Sequence, residues 1–422
     1  MQTTLAPEYV GTPDGVAAEA ILRKCVHCGF CTATCPTYQI LGDELDGPRG
    51  RIYLMKQVLE GAAPTRATQM HLDRCLTCRN CESTCPSGVD YGHLVDIGRK
   101  LVDAKVPRPA GESALRWALK EGLPSPLFGP AMKLGQLVRP LLPEALQRKV
   151  PIAAPAGRWP KRQHARKMLM LAGCVQPSMA PNINAATARV LDAAGIQAVV
   201  AASAGCCGAV KFHLNDQDGG KASMRSNIDA WWPYVEPQRG SAGIEALIMN
   251  ASGCGVTVKE YGHILRDDPH YAAKAARISA LTRDLSELLP ELVLALRGKL
   301  KVQPKGRAEG LAQSREKLVF HPPCTLQHGQ QLRGGVEEHL IALGFKVRVA
   351  DNESHLCCGS AGTYSVLQPK LSLALRDRKI DHLDAQPKET IISANIGCIT
   401  HLQSGTDTPV MHWVEVLDRA LG

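Results

Sequence analysis

Two short cysteine runs constrain this chain more than any other feature. Cys25, Cys28, Cys31 and Cys35 are followed by Pro36, and Cys75, Cys78, Cys81 and Cys85 by Pro86, so each run reads C-x2-C-x2-C-x3-C-P. Soft thiolates at this spacing wrap three corners of a [4Fe-4S] cubane, while the fourth reaches the other cluster. That rule assigns Cys25, Cys28, Cys31 and Cys85 to one cluster and Cys35, Cys75, Cys78 and Cys81 to the second. Two structural zinc sites are the competing reading, but they would use two C-x2-C pairs and leave the third cysteine of each run without a role. His27 sits inside the first run. With four thiolates already supplied, its imidazole is expected to hydrogen-bond a cluster sulfur or face solvent.

The segment between the runs is too long for a hairpin and carries helix punctuation. Pro48 stands at a helix start, RIYLMKQVLE has helical periodicity and Gly61 closes it; Asp14 to Lys24 and Tyr91 to Lys105 also read as helices. The N-terminal unit is therefore expected to be a helical two-cluster ferredoxin domain, residues 1–106. Arg49 and Arg51 in GPRGR either place positive charge near a cluster or hold a turn, the second reading carrying more weight.

The chain has 422 residues, enough for two or three cores, and 16 cysteines. The start, MQTTLAPEYVGTPDG, lacks a basic then apolar export pattern, and the longest apolar candidate, residues 196–210, falls short of the roughly 20 needed to span a bilayer. A cytoplasmic location is expected, where thiols stay reduced and metal rather than disulfides explains the cysteines. The net charge of +9 could serve an acidic partner, an anionic membrane or nucleic acid. No nucleic-acid motif accompanies it, and no G-x-G-x-x-G follows a strand, which argues against a dinucleotide site.

From about residue 166 the chain repeats. In the first copy MLMLA leads to Cys174, NAATARVLDAAG to IQAVVAA, then GCCGA supplies Cys206 and Cys207, and EALIMNASGC ends at Cys254. In the second, KLVFH leads to Cys324, VEEHLIALG to FKVRVA, LCCGSAG supplies Cys357 and Cys358, and ETIISANIGC ends at Cys398. Strands alternating with helices predict two parallel α/β modules, 168–300 and 301–422, with every cysteine just beyond a strand, where such sheets bind ligands. Four thiols per copy point to a metal or redox site, and the spacing does not select which. Gly208 and Gly359 after the pairs are expected to let the backbone approach a bulky inorganic ligand. Residues 107–167, Pro-rich and basic, read as a helical linker packed on its own protein, with docking to a partner or anionic lipid as the alternative. The fold class is thus α+β multidomain.

KCVHCGFCTATCPTY, GDELDGPRGRIYL, HLDRCLTCRNCESTCPSG, GCCGA, ASGCG, CTLQH, LCCGSAGTY and ANIGC together resemble the glycolate oxidase iron-sulfur subunits, nearly end to end. The second half is similar to the cysteine-rich CCG domains of heterodisulfide reductases and of lactate and anaerobic glycerol-3-phosphate dehydrogenases. The resemblance implies an electron-transfer subunit with no catalytic residue of its own. Its partners would be FAD-containing subunits that oxidise glycolate to glyoxylate, and its acceptor a quinone, giving peripheral attachment at the cytoplasmic face of the inner membrane. Full CCG domains end in C-x-x-C, whereas here Thr257 follows Cys254 and His401 follows Cys398. Five-thiolate binding of an unusual cluster therefore does not carry over. Four thiols holding a metal or further cluster, His401 substituting in the second copy, and modules kept as scaffold or as quinone or partner surface stand as alternatives. So does a catalytic role on disulfides.

Overall fold

The computed structural model describes residues 1–148, 150–236, 243–301 and 317–422; part of the expected linker (149) and of the second module's start (302–316) lies outside these. The first hundred residues are helical. Helices Pro13–Lys24, Pro48–Leu59, Arg66–Asp73 and Tyr91–Lys105 pack around Leu22, Met55, Leu72 and Leu94. Their ends follow local chemistry: Thr12 caps the first through its side chain, Pro48 opens the second, and Gly61 follows it at φ +101°.

Two four-stranded parallel sheets follow. β1 (Arg166–Met170), β2 (Ile196–Val199), β3 (Ala246–Met249) and β4 (Thr282–Asp284) lie in the order β2-β1-β3-β4. β5 (Lys317–Phe320), β6 (Lys346–Val349), β7 (Glu389–Ser393) and β8 (Val410–His412) repeat it as β6-β5-β7-β8. Register matches too, Arg166 facing Ile196 in the first sheet and Lys317 facing Lys346 in the second. The outermost strands β4 and β8 escape a reading by pattern because each has three residues, too few to show a period.

One hydrophobic core joins the modules, running from Ile183 and Ile248 through Leu292 to Phe320, Leu340 and Trp413. Helices Pro181–Ala193 and Trp413–Leu421 lie together in it, pinned at the rim by Arg189 to Asp418 at 2.6 Å. The segment after residue 107 is helical at Ala110–Gly122 and Phe128–Leu137 and packs on the rest of the chain. Arg108 and Arg116 reach Asp73, and Lys211 reaches Glu121. Among the described residues no helix is long and apolar enough to cross a membrane.

Candidate metal centres

Each N-terminal cysteine run is a loop bent twice into left-handed backbone: His27 and Gly29 in the first, Thr77 and Arg79 in the second, at φ between +52° and +84°. Such turns curl the chain so that its thiols and amide N–H groups converge on one side. Cys31 and Cys81 ride on the short helices Phe30–Ala33 and Asn80–Thr84, and Cys35 and Cys85 sit at helix ends just ahead of their prolines.

Two cavities result. One is lined by Cys25, Cys28, Cys31 and Cys85, with Cys81, His27 and Arg49 beside them. The other is lined by Cys35, Cys75, Cys78 and Cys81, with Arg51. Cys81, Pro48 and Tyr91 line both, so the cavities are neighbours. The last cysteine of each run thus stands with three of the other.

The donor sets fit a polycation. Burial and the adjacent Cys25 push the Cys31 thiol up to about 11, and burial together with neighbouring thiols raises Cys78 and Cys81 well above the ordinary value. Crowded sulfurs of this kind ionise only against compensating positive charge, which iron supplies. Two donors already point at Cys75: the Thr77 amide donates to its Sγ at 3.4 Å, and Tyr91 donates its hydroxyl proton to the same sulfur at 3.7 Å. Thr37 Oγ1, which donates to the Asp46 carbonyl, lies 3.3 Å from Cys35 Sγ.

Arg51 combines the two roles weighed for it. Fully buried, it donates to the His71 carbonyl at 2.7 Å and to Thr37 Oγ1 at 3.2 Å, pairs with Asp46 at 3.4 Å, and walls the second cavity. Arg49 lines the first cavity while paired with Glu44 at 2.6 Å. Asp43, Asp46 and His71 form a compact group nearby, but Asp46 is already held by Arg51 and by Arg74 at 2.8 Å.

In the modules every cysteine lies beyond the carboxyl end of a strand, around the step from β1 to β3 or from β5 to β7, where strand order reverses. Cys174 contacts Cys206, Cys206 contacts Cys207 and Cys207 contacts Cys254. Cys206 accepts from Cys174, from Cys207 and from the Gly208 amide, which holds it well below the ordinary thiol value. In the second copy Cys324 Sγ is 3.7 Å from Cys357 Sγ, and Cys358 touches Cys357 and Cys398.

A Cβ on Gly208 would lie 2.8 Å from the Gly220 carbonyl oxygen, and one on Gly359 2.4 Å from that of Ser372. These glycines admit the following helix, at φ +92° and +87°. His401 Nε2 engages Ser372, 3.1 Å from the hydroxyl.

The second module also abuts the ferredoxin domain. Leu76 and Cys78 pack with Cys324, Cys357 and Tyr364; Tyr364 donates to the Arg74 carbonyl at 3.1 Å, and Ser83 Oγ meets His328 Nδ1 at 2.9 Å. The first module is tied instead by Arg79 and His93 to Glu260, at 2.9 and 3.3 Å. Against burial, the His93 hydrogen bond and the Arg79 charge hold Glu260 at about 2.

Helical twin-cavity domain and paired cysteine-lined sheets define a multidomain iron-sulfur protein. Consistent with that class, a family model described as a 4Fe-4S dicluster domain matches residues 21–89, and one described as a cysteine-rich domain matches 168–259 and 318–403. The chain is 53% identical to the glycolate oxidase iron-sulfur subunit of Escherichia coli, covering all of this chain and 99% of that one. A probable glycolate oxidase iron-sulfur subunit of Bacillus subtilis is 28% identical over 92% of this chain and 90% of its own length. Lactate utilization protein A of Geobacillus thermodenitrificans is 26% identical over 60% of this chain and 98% of its own length. The chain belongs to the glycolate oxidase iron-sulfur subunit family.

Proposed function

We propose that this chain is the electron-relay subunit of a glycolate-oxidising complex, with one [4Fe-4S] cluster on Cys25, Cys28, Cys31 and Cys85 and a second on Cys35, Cys75, Cys78 and Cys81. The observation that carries the reading is the pair of adjoining cavities, each lined by three cysteines of one run and the last of the other. Bound there, the clusters would supply one-electron transfer. The residues around them hold the sulfurs and donate hydrogen bonds to them. Residues 1–106, 107–167, 168–300 and 301–422 act as relay domain, linker and two modules.

Cys28 is exposed, and beside it Val26 and Phe30 keep 67% and 62% of their surface in solvent. That accessibility supports placing the first cavity on the entry side, toward a partner flavoprotein whose FAD takes electrons from glycolate. The second cavity passes them inward to a quinone. Leu127, Leu134, Leu137 and Leu141 are exposed among Lys133, Arg139 and Arg148, which suits peripheral attachment to an anionic bilayer at the cytoplasmic face. The full-length likeness to glycolate oxidase subunits favours glycolate over lactate, whose related protein matches over 60% of this chain.

Iron and sulfide analysis of the anaerobically purified complex tests this. About eight irons are expected in the N-terminal domain. Cys25→Ala and Cys85→Ala should extinguish the same electron paramagnetic resonance signal. Loss of different signals would overturn the assignment.

A further inference from the structure

Among the positions at which the two modules differ, one opposes leucine to a buried histidine. Where β1 continues to Leu171, three residues before Cys174, β5 continues to His321, three residues before Cys324. His321 is 1% exposed, and neither ring nitrogen has a hydrogen-bond partner. Leaving a buried polar atom unsatisfied costs on the order of 1–3 kcal/mol, so such a side chain points to an absent partner. What it faces is sulfur. A ring nitrogen of His321 and the Sγ atoms of Cys358 and Cys398 all lie within 4.8 Å of one another. Cys357 adjoins Cys358, and the buried Lys379 lies near both.

Size separates the two ligand types this group could take. A tetrahedral zinc ion with bonds of about 2.0–2.3 Å sets its ligand atoms roughly 3.5–3.8 Å apart, so a set already inside 4.8 Å closes by small side-chain rotations. Among the described residues no three of the N-terminal cysteines lie this close together, so those sets are spaced for a larger ligand than one ion. Thiolate and imidazole together are the donors a closed structural zinc site takes.

We propose that the second module binds a single zinc-type divalent ion through His321, Cys358 and Cys398, with Cys357, which touches Cys358, turning in as the fourth donor. Three thiolates around a dication leave one negative charge, and the Lys379 ammonium beside them balances it. Leu171 denies the first module this site. Cys324 stays outside the coordination shell, 3.7 Å from Cys357 and packed in the cluster that holds Cys78.

The test uses the whole complex. Elemental analysis should find one zinc per chain beyond the cluster iron, and zinc-edge X-ray absorption should show one nitrogen and three sulfurs. His321→Ala should lose the zinc while iron, sulfide and the cluster signals stay unchanged, and His321→Cys should retain it. Cobalt(II) taken up in its place should give the visible bands of tetrahedral thiolate coordination in wild type and not in His321→Ala. The proposal falls if wild type with full cluster content carries no extra ion, or if the absorption edge shows sulfur alone. It falls equally if the additional metal is iron accompanied by extra sulfide. Cluster content is read on the same sample, so failure of the relay assignment would register separately.

Discussion

Arg51 shows how one side chain can serve fold and site together. Its guanidinium is sealed between Asp46, Thr37 and the His71 carbonyl, and it also forms the wall of the second cavity. Arg51→Met should leave Asp46 short of a partner in the interior, costing about 3 kcal/mol. Denaturation midpoints should fall, and the second cluster's redox titration should shift to lower potential, with the first cluster's less affected. Gly359→Ala should destabilise by at least about 1 kcal/mol, because its backbone is left-handed and the new methyl meets the Ser372 carbonyl. The eight N-terminal cysteines could be singled out from sequence because their grouping is local, written in spacings of two and three residues. His321 could not, because its significance comes from Cys358 and Cys398, which only the folded sheet brings to it.

At the level of elements, helix ends were readable wherever proline or glycine marks them, as at Pro48 and Gly61, and three of four strands per module were readable from their apolar runs. The fourth strand of the second module, β8, ends in His412, which caps the last helix by accepting the Val414 amide on Nδ1. Burial depresses His412 to about 3. Because its folded pKa lies below the unfolded value near 6.5, the unfolded chain takes the proton first as the medium acidifies. The stabilisation is complete above pH 6.5 and is lost as pH falls from there toward 3, at up to about 1.4 kcal/mol per unit. Equilibrium unfolding at pH 7.5 and 5 should reveal this slope, and His412→Asn, which keeps a capping acceptor, should flatten it.

Across the whole molecule, the relay domain is clamped between two sheets by different means. Glu260 gathers Arg79 and His93 from the ferredoxin side, so Glu260→Ala strands a mostly buried guanidinium and should weaken that junction by about 2 kcal/mol or more. Limited proteolysis should then cut near the junction sooner, with cluster content intact. The other junction brings Cys324 and Cys357 against Cys78. Duplicated units begin interchangeable, and both location and the exchange of Leu171 for His321 have ended that equivalence here. One copy packs its cysteines against the twin-cavity domain and the other meets it through Glu260, so selection should police them unequally. Cys324→Ser should slow reoxidation of the reduced complex in stopped-flow measurements, whereas Cys206→Ser should leave that rate near wild type.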